Sequence, residues 1–108
     1  MTPQERLDEM LENKRNAQKA FMDRADGAAP AEKDRLRVNW ETAEQNLVAA
    51  QTNGLTKTSA ELDDAVGKLA TANTEAKAAL AAVMQISELL KKLEKATTLA
   101  GKVLLAAV

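Results

Sequence analysis

The sequence contains neither cysteine nor histidine, and each absence removes a class of chemistry. Without cysteine, the chain can form no disulfide and offers no thiolate, which is typical of proteins in a reducing compartment. Without histidine, it lacks the commonest metal ligand, the usual general base and the Glu-x-x-His motif of di-iron helical bundles. We therefore expect no metal site, no cofactor and no catalytic residues.

Other sources of catalytic chemistry are also weak. Ser59 and Ser87 have no lysine placed as the base of a Ser–Lys pair, so we interpret both as capping or packing residues. Asp63 and Asp64 are adjacent carboxylates, but they fall at the start of a predicted helix, where the helix dipole stabilises acidic side chains. The four glycines lie far apart and form no phosphate-binding loop. The sequence thus predicts a protein that is not an enzyme.

Aromatic residues are nearly absent, since the chain has one Phe, one Trp and no Tyr. The apolar residues are mainly alanine and leucine, which favour close packing of helices and support sheets poorly. Hydrophobic residues make up 45% of the 108 residues and charged residues 29%, values typical of a folded protein. We predict a single all-α domain spanning residues 1–108.

The chain also lacks a strong excess of charge and a long apolar run. Its 16 acidic and 15 basic residues give a net charge of −1, which argues against nucleic acid as a partner. No apolar stretch of about 18 residues predicts a transmembrane helix. Residues 1–5 lack the basic start and the apolar run that a secretory signal requires. The expected location is a bacterial-type cytoplasm, with secretion without a cleavable signal as the alternative.

Two helices are predicted in the first half of the chain. Thr2, Pro3 and Glu5 form a capping-box pattern that starts a helix over about residues 3–26. Gly27 and Pro30 separate it from a second helix over about residues 30–53, whose apolar seam has coiled-coil spacing: Leu36, Trp40, Ala43, Leu47 and Ala50. The short connection predicts an antiparallel hairpin, in which Trp40 packs in the core opposite Phe21.

The second half of the chain predicts one long helix over about residues 59–96. Asn53-Gly54 ends the second helix, Leu55 is expected to make the apolar contact that follows a glycine cap, and Thr58 with Glu61 forms a second capping box. The polar stretch 71–74 is a predicted bend, and 96–101 a predicted break. The apolar tail 97–108 then forms a separate short helix or an extension. The expected fold is a hairpin plus a longer third helix, a three-helix bundle of coiled-coil character.

If unbroken to the C-terminus, the third helix is about 75 Å long, which is longer than the hairpin. We therefore expect its C-terminal half to overhang and expose an apolar face. A large exposed apolar face indicates self-association or binding of a partner helix. The leading functional hypothesis is a non-enzymatic interaction protein, whose contact residues recur at helical spacing: Leu80, Val83, Ile86, Leu90, Leu93, Leu104 and Leu105.

Lysines beside this apolar segment support an alternative function. Lys91, Lys92, Lys95 and Lys102 could contact acidic lipid headgroups while the apolar tail enters a bilayer surface. This pattern predicts a membrane-active or secretion-associated helical protein. The pattern favours a simpler interpretation over lipid contact, in which these lysines lie in the last turns of a helix and complement its dipole.

Overall fold

The computed structural model describes residues 1–82 and 84–108, and four α-helices make up most of the chain. They are α1 (Pro3–Arg24), α2 (Pro30–Asn53), α3 (Ala60–Ala81) and α4 (Ile86–Ala107). No β-strand occurs in the described residues, so the all-α prediction is confirmed. The bundle measures 43 × 22 × 17 Å. Its long dimension leaves no room for an overhanging helix of 75 Å.

The helices of the first hairpin, α1 and α2, begin and end close to the positions predicted from their capping residues. At the start of α1, the Glu5 amide donates to Thr2 Oγ1 at 3.1 Å and the Thr2 amide donates to Glu5 Oε1 at 2.8 Å. This confirms the predicted capping box. The helix ends slightly earlier than expected, in a single 3₁₀ turn over Ala25–Gly27. The predicted bounds of the second helix match α2.

The connection from α2 to α3 follows the glycine cap predicted at Gly54. This residue has φ +81°, and its amide donates to the carbonyl of Ala50 at 2.8 Å. Leu55 is also left-handed, with φ +51°, and its side chain is fully buried, as the cap contact predicted. The next helix begins one residue later than the Thr58 capping box implied. Ser59 is the cap, and its Oγ accepts from the Leu62 amide at 3.2 Å.

The predicted long helix over residues 59–96 is wrong, because the chain reverses between Ala82 and Gln85. The two predicted weak points lie inside helices instead. Thr71 and Thr74 donate their hydroxyl groups to carbonyls one turn earlier in α3, at 3.3 and 3.1 Å, so these polar residues are accommodated. Residues 97–107 continue α4 without a break and form no separate helix.

Neighbouring helices run both antiparallel and parallel. Side chains near the start of α1 meet the start of α3, as in the pair Arg6–Asp63, so these two helices lie parallel. Likewise α2 lies parallel to α4, with Arg35 of one hydrogen-bonded to Glu94 of the other. In the described residues, α2 and α3 have no Cα atoms within 8 Å of each other, so they occupy a diagonal. The 54–59 connection therefore crosses the end of the bundle.

The core consists of two apolar clusters with a polar layer between them. One cluster lies toward the crossing connection and includes Met10, Leu62, Leu69 and Val103. The other lies toward the 82–85 reversal, and its buried members are Ala20, Leu36, Ala76, Ala79, Leu89, Leu90 and Leu93. The Phe21 and Trp40 rings pack at this second end, with centroids 5.5 Å apart, which confirms the predicted contact, but both side chains are half-buried rather than in the core. Many core positions are alanine, which allows close approach of the helices.

Candidate interaction surface

A surface groove runs between α3 and α4 on the outside of the bundle. Its apolar floor is formed by Ala65 and Ala72 of α3 and by Leu99, Leu105 and Ala106 of α4. Leu105 is the most exposed of these, with 75% of its surface accessible. The α3 side extends from Glu61 to Ala72, which is about 18 Å of helix at 1.5 Å per residue.

Charged residues of both signs border this α3–α4 groove. The carboxylates belong to α3, at Glu61 and Asp64, and the lysines are Lys68, Lys95 and Lys102. Lys68 pairs with Asp64 at 3.2 Å, and Lys95 pairs with Glu75 at 3.8 Å. Such exposed pairs contribute little to stability, so a ligand could exchange with them at low cost. Lys102 forms no ion pair within 4.0 Å in the described part of the chain.

Three of the four predicted lipid-contact lysines share one exposed face of α4. Lys91, Lys95 and Lys102 follow each other at intervals of four and seven residues, which places them on one side of a helix, and Leu105 lies there as well. Lys91 also pairs with Glu88 at 3.4 Å. Lys92 is half-buried and lies about 100° around the helix from this face.

The predicted interaction residues that the structure describes are exposed, half-buried or buried. Leu105 is exposed and lines the groove. Leu80, Ile86 and Leu104 are half-buried against the two core clusters. Val83 lies outside the described residues.

Leu90 and Leu93 need correction as surface contacts. They are 0% and 1% exposed, and both belong to the apolar cluster near the 82–85 reversal. The sequence prediction assumed that a hairpin could not cover the whole apolar stripe. Because α4 folds back along α1, α2 and α3, the molecule buries that stripe itself. These side chains are therefore unavailable to a partner of the folded chain.

The buried polar layer was not predicted from the sequence. The side-chain Nδ2 of Asn13 donates to Thr97 Oγ1 at 3.1 Å, and the side-chain Nδ2 of Asn16 donates to the backbone carbonyl of Asn73 at 3.2 Å. Asn73 in turn donates to the carbonyl and carboxylate oxygens of Glu9, at 2.8 and 3.0 Å. Buried asparagines of this kind fix the register and pairing of helices. A sequence signal existed, since Asn13 and Asn16 interrupt the apolar stripe of the first helix.

Arg6 fixes the connection that crosses the end of the bundle. Its guanidinium, 4% exposed, donates to the carbonyls of Leu55 and Lys57 at 2.6 and 2.8 Å and to Asp63 Oδ1 at 2.7 Å. The hydrogen bond from Arg6 to Asp63 holds the pKa of the Asp63 carboxyl below its usual value, because it favours the charged form. Hydrogen bonds from the Thr2 backbone and hydroxyl likewise lower the pKa of Glu5. Both are structural contacts.

Two further properties of the described residues concern ions and membranes. Within residues 1–82 and 84–108, acidic side chains form no cluster of three or more that could hold a metal ion. None of the helices in those ranges combines the length and apolar character needed to cross a bilayer.

Comparison with known proteins returned no match to a protein-family model, to a curated protein or to a solved structure.

Proposed function

We propose that the protein is a non-enzymatic helical interaction module that binds an amphipathic helix of another protein in the α3–α4 groove. The observation that carries this proposal is the exposure of Leu105 beside an apolar floor between two helices. A helix laid in such a groove buries its apolar stripe between the two walls. The groove is about 18 Å long, so the bound segment needs roughly three to four helical turns.

The border of the groove also defines the chemistry of the partner. Lys95 and Lys102 on the α4 side favour acidic residues along one edge of the bound helix. Glu61 and Asp64 favour a basic residue on the other edge. Such charge complementarity mainly sets orientation and association rate, and the small apolar area gives a transient complex.

A photo-crosslinking residue at position 68 of the full chain, expressed in its native cells, tests this proposal. Lys68 borders the groove and is exposed, so the replacement leaves the core intact. A matched control carries the same residue at Met22, which is 69% exposed on α1. We expect a discrete adduct from position 68 that Leu105→Glu abolishes and that position 22 does not give. Equal adducts from both positions, or an adduct insensitive to Leu105→Glu, would refute the proposal.

A second function is supported by the basic face of α4. Lys91, Lys95 and Lys102 lie on one side of the helix with exposed Leu105, which is the arrangement of a helix that contacts anionic lipid. The carboxylates of Glu61 and Asp64 border the same groove and would oppose it. Flotation with phosphatidylcholine vesicles, with and without phosphatidylserine, distinguishes the two functions. Binding only to anionic vesicles, weakened by Lys95→Gln with Lys102→Gln, would favour lipid over a helical partner.

A further inference from the structure

The end of α2 contains Asn53-Gly54, the one place in the sequence where glycine follows asparagine. Such a pair is chemically reactive, because the backbone nitrogen of the second residue can attack the side-chain amide carbon of the first, and glycine carries no Cβ to hinder the approach. The other asparagines precede residues with side chains and lie inside helices: Asn13, Asn16, Asn39, Asn46 and Asn73. Asn53 is therefore the asparagine most susceptible to deamidation.

Deamidation proceeds through a cyclic succinimide and consumes only water. Base in the solvent removes the amide proton of Gly54, and the Gly54 nitrogen bonds to Cγ of Asn53. The Cγ–Nδ2 bond then breaks, and the side-chain nitrogen takes up a proton from solvent and leaves as ammonia. Water opens the succinimide ring at either of its carbonyl carbons, so the products are aspartate and isoaspartate. In isoaspartate, the main chain runs through Cγ and is longer by the Cβ carbon.

The folded chain engages both reacting groups in hydrogen bonds. The Gly54 amide donates to the carbonyl of Ala50 at 2.8 Å, so the nitrogen that must lose its proton belongs to the last hydrogen bond of α2. The Asn53 side chain is also fixed, since its Oδ1 accepts from the Leu55 amide at 3.0 Å in an Asx turn. Asn53 itself is exposed to water. Deamidation of the folded chain therefore requires this last turn of α2 to open.

Leu55 and Arg6 hold this turn against the bundle. Leu55 follows Gly54 in the left-handed region, with φ +51°, and its side chain is 0% exposed. Arg6 of α1 donates to the Leu55 carbonyl at 2.6 Å and to the Lys57 carbonyl at 2.8 Å. Residues 56–58 are exposed, so opening of the turn mainly breaks the contacts of Leu55 and Arg6. A helix end anchored in this way can open while the rest of the bundle stays folded.

We propose that Asn53 is a deamidation site gated by local opening of the end of α2, independently of the α3–α4 groove. Opening releases the Gly54 nitrogen and the Asn53 side chain, and it exposes Leu55. The hydrogen bond of Gly54 and the burial of Leu55 together slow the reaction on the order of 100-fold relative to the unfolded chain. Loss of ammonia is not reversed in dilute solution. The extent of deamidation therefore increases with the time that the turn spends open.

The isoaspartate product loosens the connection that crosses the end of the bundle, whereas the aspartate product does not. Aspartate keeps an oxygen that accepts from the Leu55 amide, and its charge at an exposed helix end has a small effect. The longer main chain of isoaspartate directly precedes two left-handed residues, Gly54 and Leu55, and displaces Leu55 from its buried site. The isoaspartate chain, isolated by chromatography, should unfold at lower urea concentration than Asn53→Asp. Coincident unfolding curves would refute this displacement.

Incubation of the full chain in mildly alkaline buffer and, in parallel, in guanidinium tests the site. Peptide mass spectrometry follows the mass gain of asparagine-to-aspartate conversion. We expect this gain at position 53, slower in buffer than in guanidinium on the order of 100-fold, with Asn13 unchanged in buffer as the internal control. Asp26-Gly27 can form the same ring but gains no mass, so it does not interfere. Equal rates in the two solvents, or no excess at position 53 over Asn13 in buffer, would overturn the proposal.

Variants at Arg6 and Leu90 distinguish local opening from unfolding of the whole chain. Arg6→Met removes the donors that anchor the connection, so the rate at Asn53 in buffer should rise about tenfold, while the rate in guanidinium stays the same. Arg6→Lys keeps one donor group and should give a smaller rise. Leu90→Ala is the control, because it destabilises the fold from the other apolar cluster. Circular dichroism confirms that each variant is folded.

We expect the rate at Asn53 in Leu90→Ala to stay close to that of the wild type. A larger rise in Leu90→Ala than in both Arg6 variants would mean that deamidation requires global unfolding, and this result would overturn the local gating.

Discussion

Replacing Leu90 by alanine should destabilise the fold strongly, whereas the same change at Leu105 should not. Leu90 is 0% exposed and packs among Leu36, Leu89 and Leu93, whereas Leu105 is 75% exposed. Truncating a fully buried leucine costs about 3–5 kcal/mol, from lost burial and from the cavity left behind. Several neighbours of Leu90 are alanines held in helices, and side chains this short cannot move in to fill the space.

The corresponding cost at Leu105 should be within about 0.5 kcal/mol, because an exposed side chain loses little burial. Urea titration measures the free energy of unfolding of both variants. Circular dichroism follows the helices, and Trp40 fluorescence follows the packing around Phe21. With a slope of about 1–2 kcal/mol per molar urea, the Leu90→Ala midpoint should fall by roughly 2 M. Total stability of such a domain is only about 5–15 kcal/mol, so the shift is large.

Equal, small shifts in the two variants would refute this reasoning. That result would mean that Leu90 is not buried in the folded chain and that α4 does not pack through this face. The sequence-based prediction of Leu90 as a partner contact would then be preferred. If the Leu90→Ala midpoint shifts together with the slope of free energy against urea concentration, the compactness of the unfolded or the native state has changed. The two variants would then be compared by thermal unfolding.

Three further changes test other parts of the fold. Thr97→Val should lower the free energy of unfolding, measured by urea titration, by about 1–3 kcal/mol, because it leaves the buried side-chain Nδ2 of Asn13 without its acceptor. Adding Asn13→Leu should recover most of this loss. Failure of the double variant to recover would contradict this account. Gly67→Ala should raise the free energy of unfolding by about 0.5–1 kcal/mol, because the added methyl group meets nothing within 4 Å; a lower melting temperature would argue otherwise. Because Arg6 lowers the pKa of Asp63 in the folded state, this pair stabilises the fold above the ordinary aspartate pKa, and the contribution is lost as pH falls below about 4. Arg6→Met should flatten that pH dependence in acid titrations of stability, and an unchanged acid profile would contradict the assignment.

Some residues that line the α3–α4 groove were singled out from the sequence. Leu105 was predicted as an interaction residue and Lys95 and Lys102 as lipid contacts, and their spacing alone places them on one side of a helix. Ala65 and Lys68 of α3 were not predicted. Which face of α3 lies beside α4 depends on where the chain reverses, and no residue type in 82–85 marks that position. The groove was therefore beyond prediction from local signals.

Local chemistry determined the beginnings and ends of most helices. Thr2 with Glu5, Pro30, and Gly54 each act within a few residues, through hydrogen bonds or a backbone conformation that the residue type dictates. Alanine-rich composition with few aromatics was likewise sufficient for an all-α fold.

Tertiary structure alone decided the reversal at 82–85 and the burial of Leu90 and Leu93. The sequence there permits a continuous helix, and its apolar stripe has the same spacing in either arrangement. The folded chain reverses because covering that stripe with α1, α2 and α3 removes more apolar surface from water than an overhanging helix could. Such a gain depends on contacts between residues far apart in the chain, and no local pattern encodes it.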